Sequence, residues 1–270
     1  MGTTRGGADP VHKRFAVLID ADNASAAVIE PVLAEVARFG EATVQRIYGD
    51  FTSPTSAGWR EVLQRNAIKP VQQFAYSKGK NATDISLVID AMDLLYTGRF
   101  DGFCLVTSDS DFTGLTLRLR EAGLEVYGFG EQKTPEAFRN ACHRFVLTEV
   151  LAGAHRPDVD RLPTAAQPTA PQPTAPQPTA AQAKLVPPRP QFRALPRKFL
   201  LEALAQSADD TGWAQLSTFG SYLTKLQPDF DARLYGHAKL SALVKASPTI
   251  FRVQERKGTG GHRHIVVAAR

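Results

Sequence analysis

Residues 157–190, PDVDRLPTAAQPTAPQPTAPQPTAAQAKLVPPRP, cannot build a hydrophobic core, and they divide the chain into two units. The unit Gln-Pro-Thr-Ala repeats from Gln167, Gln172 and Gln177. Proline offers no backbone donor and favours extended polyproline II, and few large apolar side chains are present to collapse. The segment reads as a semi-rigid, disordered tether. It predicts four regions: a disordered N-terminus (1–13), a first folded unit (14–152), the linker (153–191) and a second folded unit (192–270). A binding motif for SH3-like partners has little support, because the basic flank is thin.

The two units differ in charge. Residues 1–156 carry 17 Lys and Arg against 19 Asp and Glu, whereas residues 191–270 carry 12 against 6. An acidic site on one unit and a basic surface on the other suit catalysis joined to a polyanion grip; the plainer alternative is a solvated basic surface. Two cysteines, Cys104 and Cys142, are too few for a disulfide framework, and a reducing cytoplasm fits. The first residues lack an apolar signal-peptide core. No apolar run reaches the roughly 18 residues of a membrane span, so no membrane partner is expected.

The first unit alternates strand and helix patterns. Strands are predicted over 15–20, 43–48, 68–74, 102–107 and 124–129, and helices over 24–38, 56–66, 82–96, 112–122 and 134–141. The runs Phe15–Ile19 and Phe103–Val106 are apolar throughout, as in buried parallel strands. The expected fold is α/β: a three-layer parallel sheet with helices on both faces.

Ligands of such sheets bind beyond the carboxyl ends of the strands. Asp20 ends the first strand, Asp109 and Asp111 follow the fourth, and Asp84 opens a helix. Three distant segments can thus deliver carboxylates to one point. Clustered carboxylates repel unless a cation holds them, and oxygen-only ligation suits Mg²⁺ or Mn²⁺. Asn23 is placed to orient a carboxylate or a phosphate, and Ser108 to bond phosphate oxygens or cap a helix. Asp22 reads as structural or supporting, and Asp90 and Asp93 as solvent-facing or supporting. Each piece also has a local explanation: Asp84 as a first-turn acid beside Lys80, and Asp109-Ser110-Asp111 as a helix cap. Lys78, Lys80 and Arg46 are candidate grips for flanking phosphates.

Taken together, Leu18-Ile19-Asp20-Ala21-Asp22-Asn23, Lys80-Asn81-Ala82-Thr83-Asp84 through Asp90-Ala91-Met92-Asp93, and Thr107-Ser108-Asp109-Ser110-Asp111-Phe112 resemble the NYN domain of the PIN-like nucleases. Gly123-Leu124-Glu125-Val126-Tyr127-Gly128 fits the same pattern. The resemblance covers about 14–150 and is greatest to the bacterial branch called LabA-like. It implies a Mg²⁺- or Mn²⁺-dependent ribonuclease, with Asp20, Asp84, Asp109 and Asp111 at the family's acidic positions. Hydrolysis would then leave 5′-phosphate and 3′-hydroxyl ends. Asp20-Ala21-Asp22 with Thr107-Ser108 is also similar to a haloacid-dehalogenase-type phosphatase, but Asn23 and a basic second unit fit that poorly.

In the second unit helices are predicted over Leu195–Ala208, 213–225 and 234–246. The runs Ile250–Gln254 and Arg263–Val267 then form a hairpin turning at Lys257–Gly261. This order suggests a winged helix-turn-helix. Gly212-Trp213, Leu216-Ser217, Pro228–Asp231 and Leu234–Val244 resemble the OST-HTH, or LOTUS, domain. The resemblance implies binding of RNA, single-stranded or structured, or docking of a protein partner. Candidate RNA contacts are Tyr235 and His237 by stacking, with Lys225, Arg233, Lys239, Lys245, Arg256, Lys257 and Arg263 on phosphates. The combined expectation is an endoribonuclease whose second unit holds the substrate; the alternative is an RNA-binding adaptor with an idle acidic site.

Overall fold

The computed structural model describes residues 12–52, 57–74, 82–154, 192–257 and 263–270. The linker, Lys78 and Lys80 lie outside these residues, as does most of the predicted Lys257–Gly261 turn. In the first unit six strands form one parallel sheet: β1 (Arg14–Asp20), β2 (Glu41–Gly49), β3 (Lys69–Gln72), β4 (Gly102–Val106), β5 (Glu125–Gly130) and β6 (Arg144–Leu147). Their order across the sheet is β3-β2-β1-β4-β5-β6. The chain builds outward from β1 in one direction, then crosses back to start again at β4. The topological switch point therefore lies between β1 and β4.

Helices cover both faces, as the apolar strands require. On one side α1 (Ile29–Val36), α2 (Ala57–Arg65) and α6 (Thr148–Ala154) pack Ile29, Val32, Trp59, Leu63 and Leu151 against Phe15, Val17 and Ile19. On the other, α3 (Ala82–Tyr96), α4 (Thr113–Glu121) and α5 (Glu136–Ala141) pack Leu87, Ala91, Leu115 and Phe138 against Ala16, Leu18, Phe103 and Leu105. The two-residue period of a strand sorts these side chains. This is the PIN-like three-layer α/β/α fold. The sequence reading missed β6 and α6. Its helix over 24–38 is a 3-10 turn at Ala26–Val28 leading into α1, with Ser25 as the cap. Cys104 and Cys142 are buried and free.

The second unit contains α7 (Arg197–Ser207), β7 (Ala214–Gln215), α8 (Leu216–Leu226), α9 (Leu240–Ala246), β8 (Phe251–Lys257) and β9 (Arg263–Ala269). The hairpin pairs antiparallel from Phe251 opposite Ala269 to Lys257 opposite Arg263. β7 adds to β9 as a third strand that the sequence did not reveal. Leu200, Leu204, Phe219, Leu223, Leu243, Val244 and Phe251 form its core. The third helix is shorter than predicted. Residues Ala232–Tyr235 form a separate 3-10 turn that Gly236 ends at φ +82°, and α9 begins only at Leu240. The left-handed backbone at Gly236 stops that turn and breaks the helical path predicted over 234–246.

The two units are in contact. The Arg233 guanidinium donates to both Glu35 oxygens at 3.1 Å and to Asp231 at 2.6 Å. Arg139 donates to Asp229 at 2.6 Å, and the Phe145 N–H donates to the Pro228 carbonyl at 2.9 Å. Glu35 lies in the last turn of α1, Arg139 near the end of α5, and Phe145 at the start of β6. The second unit therefore sits at the end of the sheet where strands begin.

Candidate metal centre

Strand parity decides which way the site residues point. Ala16 and Leu18 face α3, so Asp20 does too; Phe103 and Leu105 face α3, and Thr107 continues their row. The helix α3 follows β3, so its first turn, with Asp84, stands at the carboxyl end of the sheet. The switch point thus brings together the ends of β1 and β4 and the start of α3.

Asp20 is fully buried. Its Oδ1 accepts from the backbone N–H groups of Asp22 (3.0 Å) and Asn23 (3.3 Å). Its Oδ2 accepts from the Asn23 side-chain amide (2.9 Å) and the Thr107 hydroxyl (2.7 Å). Burial pushes the Asp20 carboxyl above its ordinary value, against the pull of these hydrogen bonds. Four hydrogen bonds fill about the whole accepting capacity of a carboxylate.

Thr107 is the residue that sequence reasoning missed as a participant. Its hydroxyl donates to Asp20 and accepts the Asp109 N–H at 3.1 Å, which joins the two strand ends. Parity with Phe103 and Leu105 was the available signal. Gly130 on β5 permits the close approach here: a Cβ would lie 2.5 Å from the Thr107 carbonyl oxygen.

Asp109 caps a 3-10 turn over Ser110–Phe112, accepting the Asp111 N–H at 2.9 Å through Oδ1. The capping explanation from sequence therefore holds for one of its oxygens. Asp111 is exposed. Asp84 is half-buried, and its carboxyl is pushed up to about 6. Burial is the main cause, followed by the negative charges of Asp20, Asp109, Asp22 and Asp111. The carboxylates drawn from the ends of β1 and β4 thus lie within electrostatic reach of Asp84, that of Asp22 included.

Other candidates are placed differently. The Ser108 hydroxyl accepts the Glu131 N–H at 2.9 Å and lines a small cleft with Asn23 and Glu131. Arg46 pairs with Asp90, and the Tyr48 hydroxyl donates to the same carboxylate. Burial and this bond raise the Tyr48 phenol. Arg46 is thus committed within the fold, and Asp90 holds it.

All-oxygen donors that repel one another fit a hard divalent cation. Among the described residues, however, no three acidic, His or Cys side chains already form a cage. Asp20 must also release a hydrogen bond before it can ligate.

In the second unit Arg252 and Arg256 lie over the Trp213 ring, 5.4 and 4.9 Å from its centroid. Lys245 pairs with Glu255 at 3.3 Å. Tyr235 packs against Phe230 with centroids 5.6 Å apart, His237 is half-buried, and Lys225, Lys239, Lys257 and Arg263 are exposed. Arg233 is corrected: its guanidinium is taken up by Asp231 and Glu35 and is not free for phosphate.

A six-stranded parallel sheet with carboxylates at its switch point is the architecture of a PIN-like, nuclease-type hydrolase. The chain belongs to the NYN domain family, whose profile matches residues 14–149, and an OST-HTH/LOTUS domain matches residues 193–262. No curated protein matches the chain. Among solved structures, an uncharacterized protein from Nitrosomonas europaea is 46% identical, covering 38% of this chain and 92% of its own, with a TM-score of 0.29. A protein of unknown function from Vibrio parahaemolyticus is 16% identical over 52% and 96%, with a TM-score of 0.44. A segment of a protein from Chromobacterium violaceum is 36% identical over 30% and 88%, with a TM-score of 0.25. No helix among the described residues is long and apolar enough to cross a membrane.

Proposed function

We propose that this chain is a metal-dependent endoribonuclease, with residues 14–152 as the nuclease unit, 192–270 as the RNA-holding unit and 153–191 as their linker. The observation that carries this reading is the convergence at the switch point of Asp20 from the end of β1, Asp109 from the turn after β4 and Asp84 from the first turn of α3, close enough that their charges help to raise the Asp84 carboxyl. A site that gathers charge against its own stability calls for a compensating cation.

Asp20, Asp84, Asp109 and Asp111 are the residues that would hold Mg²⁺ or Mn²⁺. When bound, such an ion would activate water and stabilise charge in phosphodiester displacement. Asn23 and Thr107 orient Asp20 through their hydrogen bonds. Asp109 uses one oxygen as a cap, which leaves the other for the ion. On the second unit, Arg256 with Trp213, and Lys257 with Arg263, offer a cationic and aromatic surface for RNA. The test is cleavage of end-labelled single-stranded and structured RNA with Mn²⁺, Mg²⁺ or EDTA, beside Asp109→Asn/Asp111→Asn. Metal-dependent cutting that the double variant loses supports the reading. Equal RNA binding without cutting by either protein overturns it.

The second reading is an RNA-binding adaptor, and one observation favours it. The four hydrogen bonds on Asp20 leave it no vacant lone pair for an ion as it stands.

A further inference from the structure

A groove runs along the junction of the two units. Arg38 and Arg144 line it from the first, and Ser221, Thr224, Lys239 and Leu240 from the second. It holds about 880 Å³ of space that opens to solvent. We infer that this shared groove binds the sugar-phosphate backbone of a single-stranded RNA, an inference that rests on the RNA-binding part of the reading above.

Charge is the first argument. The guanidiniums of Arg38, Arg144 and Arg233 share two carboxylates, Glu35 and Asp231. Lys239 is exposed and makes no ion pair with any described residue. The junction therefore keeps an excess of two positive charges, and its most exposed cations are Arg38 from the first unit and Lys239 from the second. Arg38 is 64% exposed even while it pairs with Glu35. Partly solvated cations of this kind exchange counterions for phosphates.

Shape is the second argument. Small-molecule sites are enclosed and mostly apolar. This groove is open, with hydroxyl-bearing Ser221 and Thr224 in its lining beside the basic side chains, and suits a chain that passes through.

Location is the third. The groove lies where the strands begin, whereas the carboxylate centre lies where they end. The seven residues of β1 separate the two levels by roughly 20 Å at about 3.3 Å per residue. RNA held in the groove reaches the centre only as an extended strand, so a short oligonucleotide can occupy one or the other but not both.

The test is fluorescence anisotropy of a labelled single-stranded RNA on the full chain in EDTA, titrated across KCl concentrations. Arg38→Ala and Lys239→Ala are each expected to weaken binding and to lower the log–log salt slope by about 0.7, the contribution of one phosphate contact on a single strand. Ser221→Glu, which adds a carboxylate to the groove without removing a cation, is expected to weaken binding too. Unchanged slopes in both alanine variants overturn the proposal. A change in Lys239→Ala alone overturns it as well, because the site would then belong to the second unit by itself. Since no cutting is needed, the outcomes separate: a protein that binds this way and never cleaves keeps the groove and loses the nuclease reading. One that cleaves with unchanged slopes does the reverse.

Discussion

The two units place their charged side chains in opposite ways. In the first, Asp20 sits at the end of a buried strand with every lone pair used, and burial with the surrounding negative charges raises the Asp84 carboxyl. In the second, Lys225, Lys239, Lys257 and Arg263 stand in solvent on a small core. The first arrangement stores unfavourable charge and fixes its geometry, while the second spreads favourable charge and leaves it movable. A site that performs chemistry needs the former, and a surface that follows a flexible polyanion needs only the latter.

The largest effect that would sharpen this contrast is on activity. Asp109→Asn/Asp111→Asn should reduce RNA cleavage to the EDTA background while leaving RNA affinity near that of the unaltered protein. Loss of affinity in step with cleavage would break the division of labour.

Next comes Thr107→Val, which keeps the shape and removes the hydroxyl. Metal affinity, read by calorimetry, should fall roughly 10–100-fold, as for other groups that orient a ligand. Denaturant unfolding should show a loss of about 1–3 kcal/mol, because buried Asp20 is left short of a partner.

The third effect has the opposite sign. The Asp84 carboxyl lies above its unfolded value of 3.8, at about 6. Native protein therefore binds more protons than unfolded protein between those values. In the absence of metal, stability should fall as pH rises through this window, and the burial of Asp20 acts in the same direction. Asp84→Asn should flatten that dependence and raise the unfolding midpoint of metal-free protein at pH 7, while abolishing activity. A destabilised Asp84→Asn protein would show that no repulsion is stored there.

The smallest effect belongs to the second unit. Lys257→Ala should lower the salt slope of RNA binding by about 0.7 and leave unfolding unchanged.

The parallel sheet and its carboxylate positions were legible in the sequence because apolar runs and strand ends are local signals. Leu18 and Leu105 announce where Asp20 and Thr107 point. The pairing of Arg46 with Asp90, 44 residues away, and of Arg233 with Glu35, 198 away, leaves no such trace. Both arginines were accordingly read as free cations. β6 is only four residues long, and β7 two, too short for a period to register. The break at Gly236 within the helix predicted over 234–246 leaves no sequence signal, because a glycine beside an apolar run does not say on which side of it the helix lies.

The Thr107 hydroxyl gives one more consequence. One oxygen atom, donating to β1 and accepting from the turn after β4, removes the independent motion of the two ends it joins. The conformational entropy of bringing them together is therefore lost during folding, before any substrate arrives. Metal-free and metal-loaded protein should differ little in the backbone around Asp20, and the adjustment on loading should be confined to the rotamers of Asn23, Asp84 and Asp111.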